Sequence, residues 1–156
     1  MVVIYGINKH LNPIKRELSD AIHACMQSVL GMPEDKRAHR FVPLDEGDFF
    51  YPGGRTKSYT VIEINMMKGR TPETRKALIK ALFKTSSSTV GILPVDIEIT
   101  IKEQEKYQWG FRGMTGDEAA DIQYKVDDEM DAPLNGVNAP NWLTHTQLKG
   151  NVRHEN

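Results

Sequence analysis

Apolar residues at the start of the chain follow first a strand pattern and then a helix pattern. The run Val2–Tyr5 is short and rich in β-branched residues and ends at Gly6, which predicts a buried strand. Asn12 and Pro13 then predict a helix start, with asparagine as the N-cap and proline in the first turn. One apolar helix face follows at spacings of three and four residues, formed by Ile14, Leu18, Ala21, Ile22, Cys25, Val29 and Leu30.

The same pattern occurs again about sixty residues later, as in a sequence with an internal repeat. Thr71 and Pro72 repeat the helix start, and Gly91 repeats Gly31 as a C-terminal cap. Further strands are predicted at residues 38–44, 58–67 and 95–102. A loop at residues 107–117 and a short strand at 122–126 are predicted after them. The chain therefore contains a doubled strand–helix–strand unit.

The doubled unit predicts an α/β fold of two layers, in which duplicated β-α-β units form a four-stranded sheet with two helices on one face. The other face would expose residues such as Val61 to water, so we expect another subunit to cover it. We predict that residues 1–128 form this domain. Residues 129–156 lack periodicity and contain few apolar residues, which predicts a C-terminal tail or extension.

Composition narrows the class of protein. The chain has 156 residues and a net charge of −1, so no strong field favours nucleic acid or an anionic membrane as a partner. No apolar run approaches a membrane span, and the N-terminus does not have the pattern of a signal peptide. A single cysteine, Cys25, excludes an internal disulfide and fits a reducing compartment. We therefore expect a cytoplasmic protein.

The sequence lacks the motifs of several classes of functional site. The sequence contains neither nucleotide-binding glycine motif, and its five histidines do not have metal-ligand spacing. We therefore expect no cofactor and no metal. Cys25 is predicted to be a packed thiol rather than a nucleophile, and His23 a solvated or hydrogen-bonded helix residue rather than a base. Arg37 and Arg40 are predicted to be charges at a strand edge.

Two segments carry candidate binding residues. Lys68 and Arg70 flank Gly69 between a predicted strand and a helix N-terminus, where cations and free N–H groups attract anions. The second segment, Trp109–Gly113, places a guanidinium beside two aromatic rings, which can form an apolar wall with a carboxylate clamp. Solvated charges in the first segment, and a loop anchored by Trp109 in the second, remain the alternative interpretations.

Taken together, these residues resemble the tautomerase superfamily, the group of macrophage migration inhibitory factor and 4-oxalocrotonate tautomerase, and within it the malonate semialdehyde decarboxylase-like branch. The likeness covers roughly residues 2–126. It is carried by the segments 18–23 (LSDAIH), 30–35 (LGMPED), 40–45 (RFVPLD), 48–52 (DFFYP), 59–64 (YTVIEI), 69–70 (GR), 96–100 (DIEIT) and 109–117 (WGFRGMTGD).

The resemblance implies a mixed four-stranded sheet, assembly as a homotrimer and active sites near subunit boundaries. It also implies that Lys68 and Arg70 act at the catalytic site on a small carboxylate-bearing oxo-acid. The tryptophan and phenylalanine of that branch's pocket match Trp109 and Phe111, which would then bind the substrate together with Arg112, the guanidinium of the same segment. Family enzymes use an N-terminal proline as general acid or base.

This chain departs from the family pattern in two places. Val2, not proline, follows Met1, and Lys36 occupies the place of the assisting aspartate, with Asp35 one residue earlier. The remaining candidate for the base is the N-terminal amine of Met1, or of Val2 once Met1 is removed. Two hypotheses therefore stay open: a tautomerase, decarboxylase or hydratase of weak activity, and a non-catalytic trimeric module that binds a metabolite or has a structural role.

Overall fold

The computed structural model describes residues 1–119. The predicted strand at 122–126, the domain boundary at 128 and the tail at 129–156 lie outside the described residues. Contacts divide the described residues into two compact units: the first comprises Met1–Met66 and Pro72–Lys102, and the second comprises Met67–Thr71 and residues 103–119.

A four-stranded sheet forms the frame of the fold. Its strands are β1 (Val2–Ile7), β2 (His39–Leu44), β3 (Thr60–Met67) and β4 (Ile97–Gln104), in the order β2-β1-β3-β4. β1 runs parallel to β2 and antiparallel to β3, so the predicted mixed sheet is confirmed. β4 begins two residues later than predicted because residues 94–96 form a 3-10 turn, which takes Val95 out of the strand.

Three α-helical segments connect these strands: α1 (Asn8–Leu11), α2 (Lys15–Leu30) and α3 (Pro72–Val90). The predicted ends are confirmed, since Gly31 and Gly91 adopt the left-handed conformation with φ of 68° and 75°.

The predicted start of the first helix is wrong. Helical backbone begins at Asn8, and Asn12 is itself helical, with φ −55° and ψ −42°, so it cannot be the N-cap. Pro13 has no N–H to continue α1, and the chain tightens into a 3-10 turn at Asn12–Ile14 before α2 begins.

The hydrophobic core lies between the sheet and the two long helices. α2 contributes Leu18 and Ile22, α3 contributes Leu78 and Leu82, and all four side chains are fully buried. They join one cluster with strand residues, among them Val2, Ile4, Ile62 and Ile64. Both helices therefore cover the same sheet face, as predicted, and Cys25 packs within this core.

The second unit contains a feature that the sequence did not predict. Residues 107–117 were expected to form a loop, but they contain a hairpin of β5 (Gly110–Phe111) and β6 (Met114–Thr115). Two residues join these strands, and both have positive φ, Arg112 at 53° and Gly113 at 77°. This is the pattern of a type I′ turn, whose twist matches that of the flanking strands.

Candidate active site

Lys68, Gly69 and Arg70 follow directly after β3 in the second unit. The Lys68 N–H donates to the carbonyl of Gln104 at 2.8 Å, and its ammonium donates to Glu105 at 3.0 Å. The bond to Glu105 raises the pKa of Lys68, so this side chain stays cationic. Gly69 has φ 143°, a conformation that side chains disfavour, and this glycine lets the backbone turn between an exposed Lys68 and a half-buried Arg70.

The β5–β6 hairpin positions the other three predicted residues. Trp109 and Phe111 are half-buried, and Arg112 stands at the turn, with its guanidinium carbon 4.9 Å from the centre of the Phe111 ring. That distance allows a cation–π contact. The structure therefore brings all five sequence-predicted residues into one unit, the second.

Close backbone packing fixes the base of this hairpin. The Gly116 N–H donates to the carbonyl of Trp109 at 2.7 Å. A side chain at Gly116 would bring its Cβ to 2.6 Å from the carbonyl oxygen of Lys106 and 2.9 Å from Met67. Only glycine fits there, so the contact holds Trp109 in place relative to residues at the end of β3.

Arg112 occupies a strained position, which leads to a first prediction. A non-glycine residue in the left-handed region costs about 1–2 kcal/mol, and asparagine tolerates that region better than arginine does. We expect Arg112→Asn to raise the melting temperature by about 2–4 °C per kcal/mol regained. Calorimetric melting of both proteins measures the shift. Arg112→Lys is the matched control because it keeps the charge and the strain, and an equal gain in that variant would contradict this explanation.

In the first unit, the N-terminal amine is held in a defined position. The Met1 amine donates to the carbonyl of Asn65 at 2.9 Å, and the Asn65 N–H donates back to the carbonyl of Met1 at 2.9 Å. Burial, reinforced by the charge of Arg40, lowers the pKa of this amine below its ordinary value of 8.0. A larger share of the amine is therefore neutral and able to accept a proton near neutral pH.

Arg40 is a site residue that sequence reasoning missed. Its Nη1 lies against the Sδ of Met1, and its charge acts on the Met1 amine. Among the described residues it has no salt bridge, whereas Arg37 is paired with Asp20 at 2.6 Å. The register Val3↔Arg40 brings it there from the parallel neighbour strand, a pairing that local sequence patterns do not reveal.

Two histidines lie beside this end of the sheet. His23 is buried, and its Nε2 is 3.0 Å from the carbonyl of Glu34, so of the two predicted states, solvated or hydrogen-bonded, it adopts the hydrogen-bonded one. The Nδ1 of His39 is 2.8 Å from the hydroxyl of Ser19, which also accepts from Arg37. Burial, together with the charges of Arg37, His23 and the N-terminal amine, lowers the pKa of His39 to about 4.

The lowered pKa of His39 predicts that the folded protein loses stability in acid. The ordinary pKa of His39 is 6.5 and its folded value is about 4, so the unfolded chain binds more protons between these two values. The contribution of His39 to the free energy of unfolding is thus complete above about pH 6.5 and falls as the pH drops towards 4. Urea titrations over this range should show the decline, and His39→Gln should make it shallower. An unchanged slope in the variant would assign the decline to other groups.

Within residues 1–119, no group of three or more His, Cys, Asp or Glu side chains could hold a metal ion. No helix in this part of the chain is long and apolar enough to cross a membrane.

Comparison with known proteins gives three consistent results. The family model described as "Tautomerase enzyme" matches residues 36–112. The protein named Probable tautomerase YusQ, from Bacillus subtilis (strain 168), is 26% identical over 101 residues, which cover 62% of this chain and 80% of that protein.

Solved structures show the same fold. A native fused 4-OT superposes with a TM-score of 0.67 and 24% identity over 74% of this chain and 94% of that chain. Malonate semialdehyde decarboxylase superposes with a TM-score of 0.65 and 18% identity over 71% of this chain and 89% of that chain. The family model and the YusQ relative point to the same family as the doubled unit and the mixed sheet. The chain belongs to the tautomerase superfamily.

Proposed function

We propose that this protein binds a small oxo-carboxylic acid and catalyses a weak tautomerase, decarboxylase or hydratase reaction within the malonate semialdehyde decarboxylase-like branch. The observation that carries the proposal is the second unit, in which Lys68, Arg70 and Arg112 accompany the rings of Trp109 and Phe111. Cations bind a carboxylate with charge-assisted hydrogen bonds, and aromatic side chains provide the apolar wall typical of small-molecule sites.

The first unit supplies a group that can move a proton. Enolisation removes a proton from the carbon next to the carbonyl, and the carbonyl oxygen becomes an enolate that needs a positive charge or a proton. The neutral Met1 amine can accept that proton, and Arg40 beside it can stabilise the negative charge. The ammonium formed then donates this proton to the enolate oxygen, which gives the enol and regenerates the neutral amine, so the cycle balances without a cofactor.

A second hypothesis is a non-catalytic module that retains binding. Val2 rather than proline follows Met1, and the primary amine already donates to the carbonyl of Asn65. One N–H of the amine is already used in that hydrogen bond, so it is not available for proton transfer to a ligand. In this case, the protein would bind oxo-acids without turning them over.

Assays with phenylpyruvate separate the two hypotheses. The enzyme hypothesis expects slow, saturable tautomerisation, and binding without turnover would favour the module. Arg40→Gln should raise the pKa of the amine and move the acid limb of the pH–rate profile to higher pH. Arg37→Gln is the matched control, because Arg37 is paired with Asp20. A profile that Arg40→Gln leaves in place would remove the amine from the mechanism.

We also propose a homotrimer that works in the cytoplasm, with residues 1–128 as its domain. The sheet face opposite the helices carries the half-buried residues Val3, Tyr5 and Val61, which favour cover by other subunits. Structures of fused 4-OT proteins are described as trimers. The single thiol, Cys25, is buried and fits a reducing compartment. Light scattering at micromolar concentration should give three times the chain mass, and a monomeric mass would contradict the assembly.

A further inference from the structure

A second cleft lies in the first unit, at the end of β1 that is remote from Met1. It has a volume of about 270 Å³ and is lined by Ile7, Glu46, Phe49, Phe50, Tyr51 and Lys57. Val2 and Ile7 are the two ends of β1, and a strand of this length spans about 17–20 Å. The cleft therefore contains none of the residues of the amine end.

The loop that forms this cleft is anchored at several points. The buried carboxylate of Asp96 accepts from the backbone N–H of Thr56 at 2.7 Å and from its hydroxyl at 2.6 Å. At the other end of the loop, Asn8 donates to Asp45 at 2.7 Å. A loop restrained in this way loses little conformational freedom when a ligand binds.

Three aromatic side chains form the wall of the cleft. Phe49 stacks on the buried Tyr59 with ring centres 5.7 Å apart, and Tyr51 lies 6.0 Å from the same ring. The hydroxyl of Tyr59 donates to Glu98 at 2.6 Å, which fixes this ring beneath the other two. Phe50 is 88% exposed beside them. The loop thus holds a large apolar ring in water although its neighbours are packed.

One ion pair supplies the polar part of the cleft. The Lys57 ammonium lies 3.0 Å from a Glu46 oxygen. This hydrogen bond raises the pKa of Lys57 and lowers that of Glu46, so both groups stay charged. The charges of Lys9 and His10 also act on Glu46. A ligand with one charge would match only half of the pair, whereas a zwitterion can present its carboxylate to Lys57 and its ammonium to Glu46.

We propose that this cleft binds a small aromatic zwitterion, of the chemical class of an aromatic α-amino acid. The aromatic wall of Phe49, Phe50 and Tyr51 takes the ring, and the Lys57–Glu46 pair takes the two charges. The cleft volume fits a ligand with one ring. The site does not depend on the oxo-acid function proposed above, since it shares no residue with it.

L-phenylalanine is the probe. Titration of the isotope-labelled full chain, followed by two-dimensional NMR, should give saturable shifts for the residues that line the cleft, with a millimolar dissociation constant. Phenylacetate, which lacks the ammonium, and phenethylamine, which lacks the carboxylate, should each bind about two- to fivefold more weakly, the effect of one exposed ion pair. Equal affinities for the three compounds would overturn the proposed role of the ion pair.

Variants test the residues directly. Phe50→Ser should weaken L-phenylalanine binding by about two- to tenfold through loss of the aromatic contact. Lys57→Gln should weaken it about two- to fivefold. Leu93→Ser is the control for removal of an exposed apolar side chain outside the cleft, and Arg70→Ala should leave this affinity unchanged. Absence of saturable binding would overturn the proposal. A lower oligomeric mass in Phe50→Ser would also overturn it, because Phe50 would then contact another copy of the chain, and that copy would fill the cleft.

Discussion

A proline in the place of Met1 should raise the turnover of phenylpyruvate by up to about 10²–10⁴-fold, the usual contribution of general acid–base catalysis. The variant Met1→Pro is made with an extra initiator methionine that the cell removes. The backbone is ready for it, because the carbonyl of residue 1 accepts from Asn65 and the amine of residue 1 lies 2.9 Å from the Asn65 carbonyl. A ring amine there would share the burial and the Arg40 charge that lower the pKa of the Met1 amine.

Met1→Ala, produced in the same way, is the matched control. Alanine leaves a primary amine of the same chain length, so a gain seen only with proline belongs to the ring amine. Intact mass spectrometry verifies which residue is N-terminal in each protein. Equal turnover in the proline and alanine variants would contradict the prediction, as would native activity that survives blocking of the amine.

Arg70→Ala should weaken the binding of a small oxo-acid by about 10- to 150-fold. A hydrogen bond to a charged group contributes roughly 1.5–3 kcal/mol, and each 1.4 kcal/mol is tenfold in affinity. Arg70 is half-buried beside Gly69, which reduces the competition of water for its guanidinium. Calorimetric titration with pyruvate measures the change.

Lys84→Ala provides the control for this titration. Lys84 is an exposed cation on α3 and belongs to the first unit, so its removal changes the net charge equally and leaves every residue of the second unit in place. A similar loss of affinity in both variants would mean that the acid responds to overall charge. Unchanged affinity in Arg70→Ala would mean that Arg70 is a solvated cation that does not bind the acid.

Much of the fold could be predicted because its determinants are local. Gly31 and Gly91 end their helices through a backbone conformation that glycine adopts without strain, and Ile62 and Ile64 alternate with polar residues as a half-buried strand requires. The predicted helix start at Asn12 was wrong because the chain is already helical at Asn8–Leu11, before the proline. That turn depends on its own tertiary contacts, including the bond from Asn8 to Asp45.

The candidate site was predictable only where its residues are close in sequence. Lys68 and Arg70 flank one glycine, and Trp109 and Phe111 share one hairpin. The hairpin itself was missed, because arginine is an unusual residue for the first position of a type I′ turn. Arg40 and Asn65 meet Met1 through strand register across more than thirty and sixty residues, and no local pattern encodes that proximity.

Within residues 1–119, the order of the sheet places β1 and β3 in the centre and leaves β2 and β4 as its two edges. Edge strands carry unpaired N–H and C=O groups that can add a strand from another chain. β2 contains Pro43, which removes one donor from that edge, whereas β4 contains no proline between Ile97 and Gln104. Aggregation of isolated chains should therefore begin through β4, and a proline introduced there on the outward-facing side of the ladder would protect them.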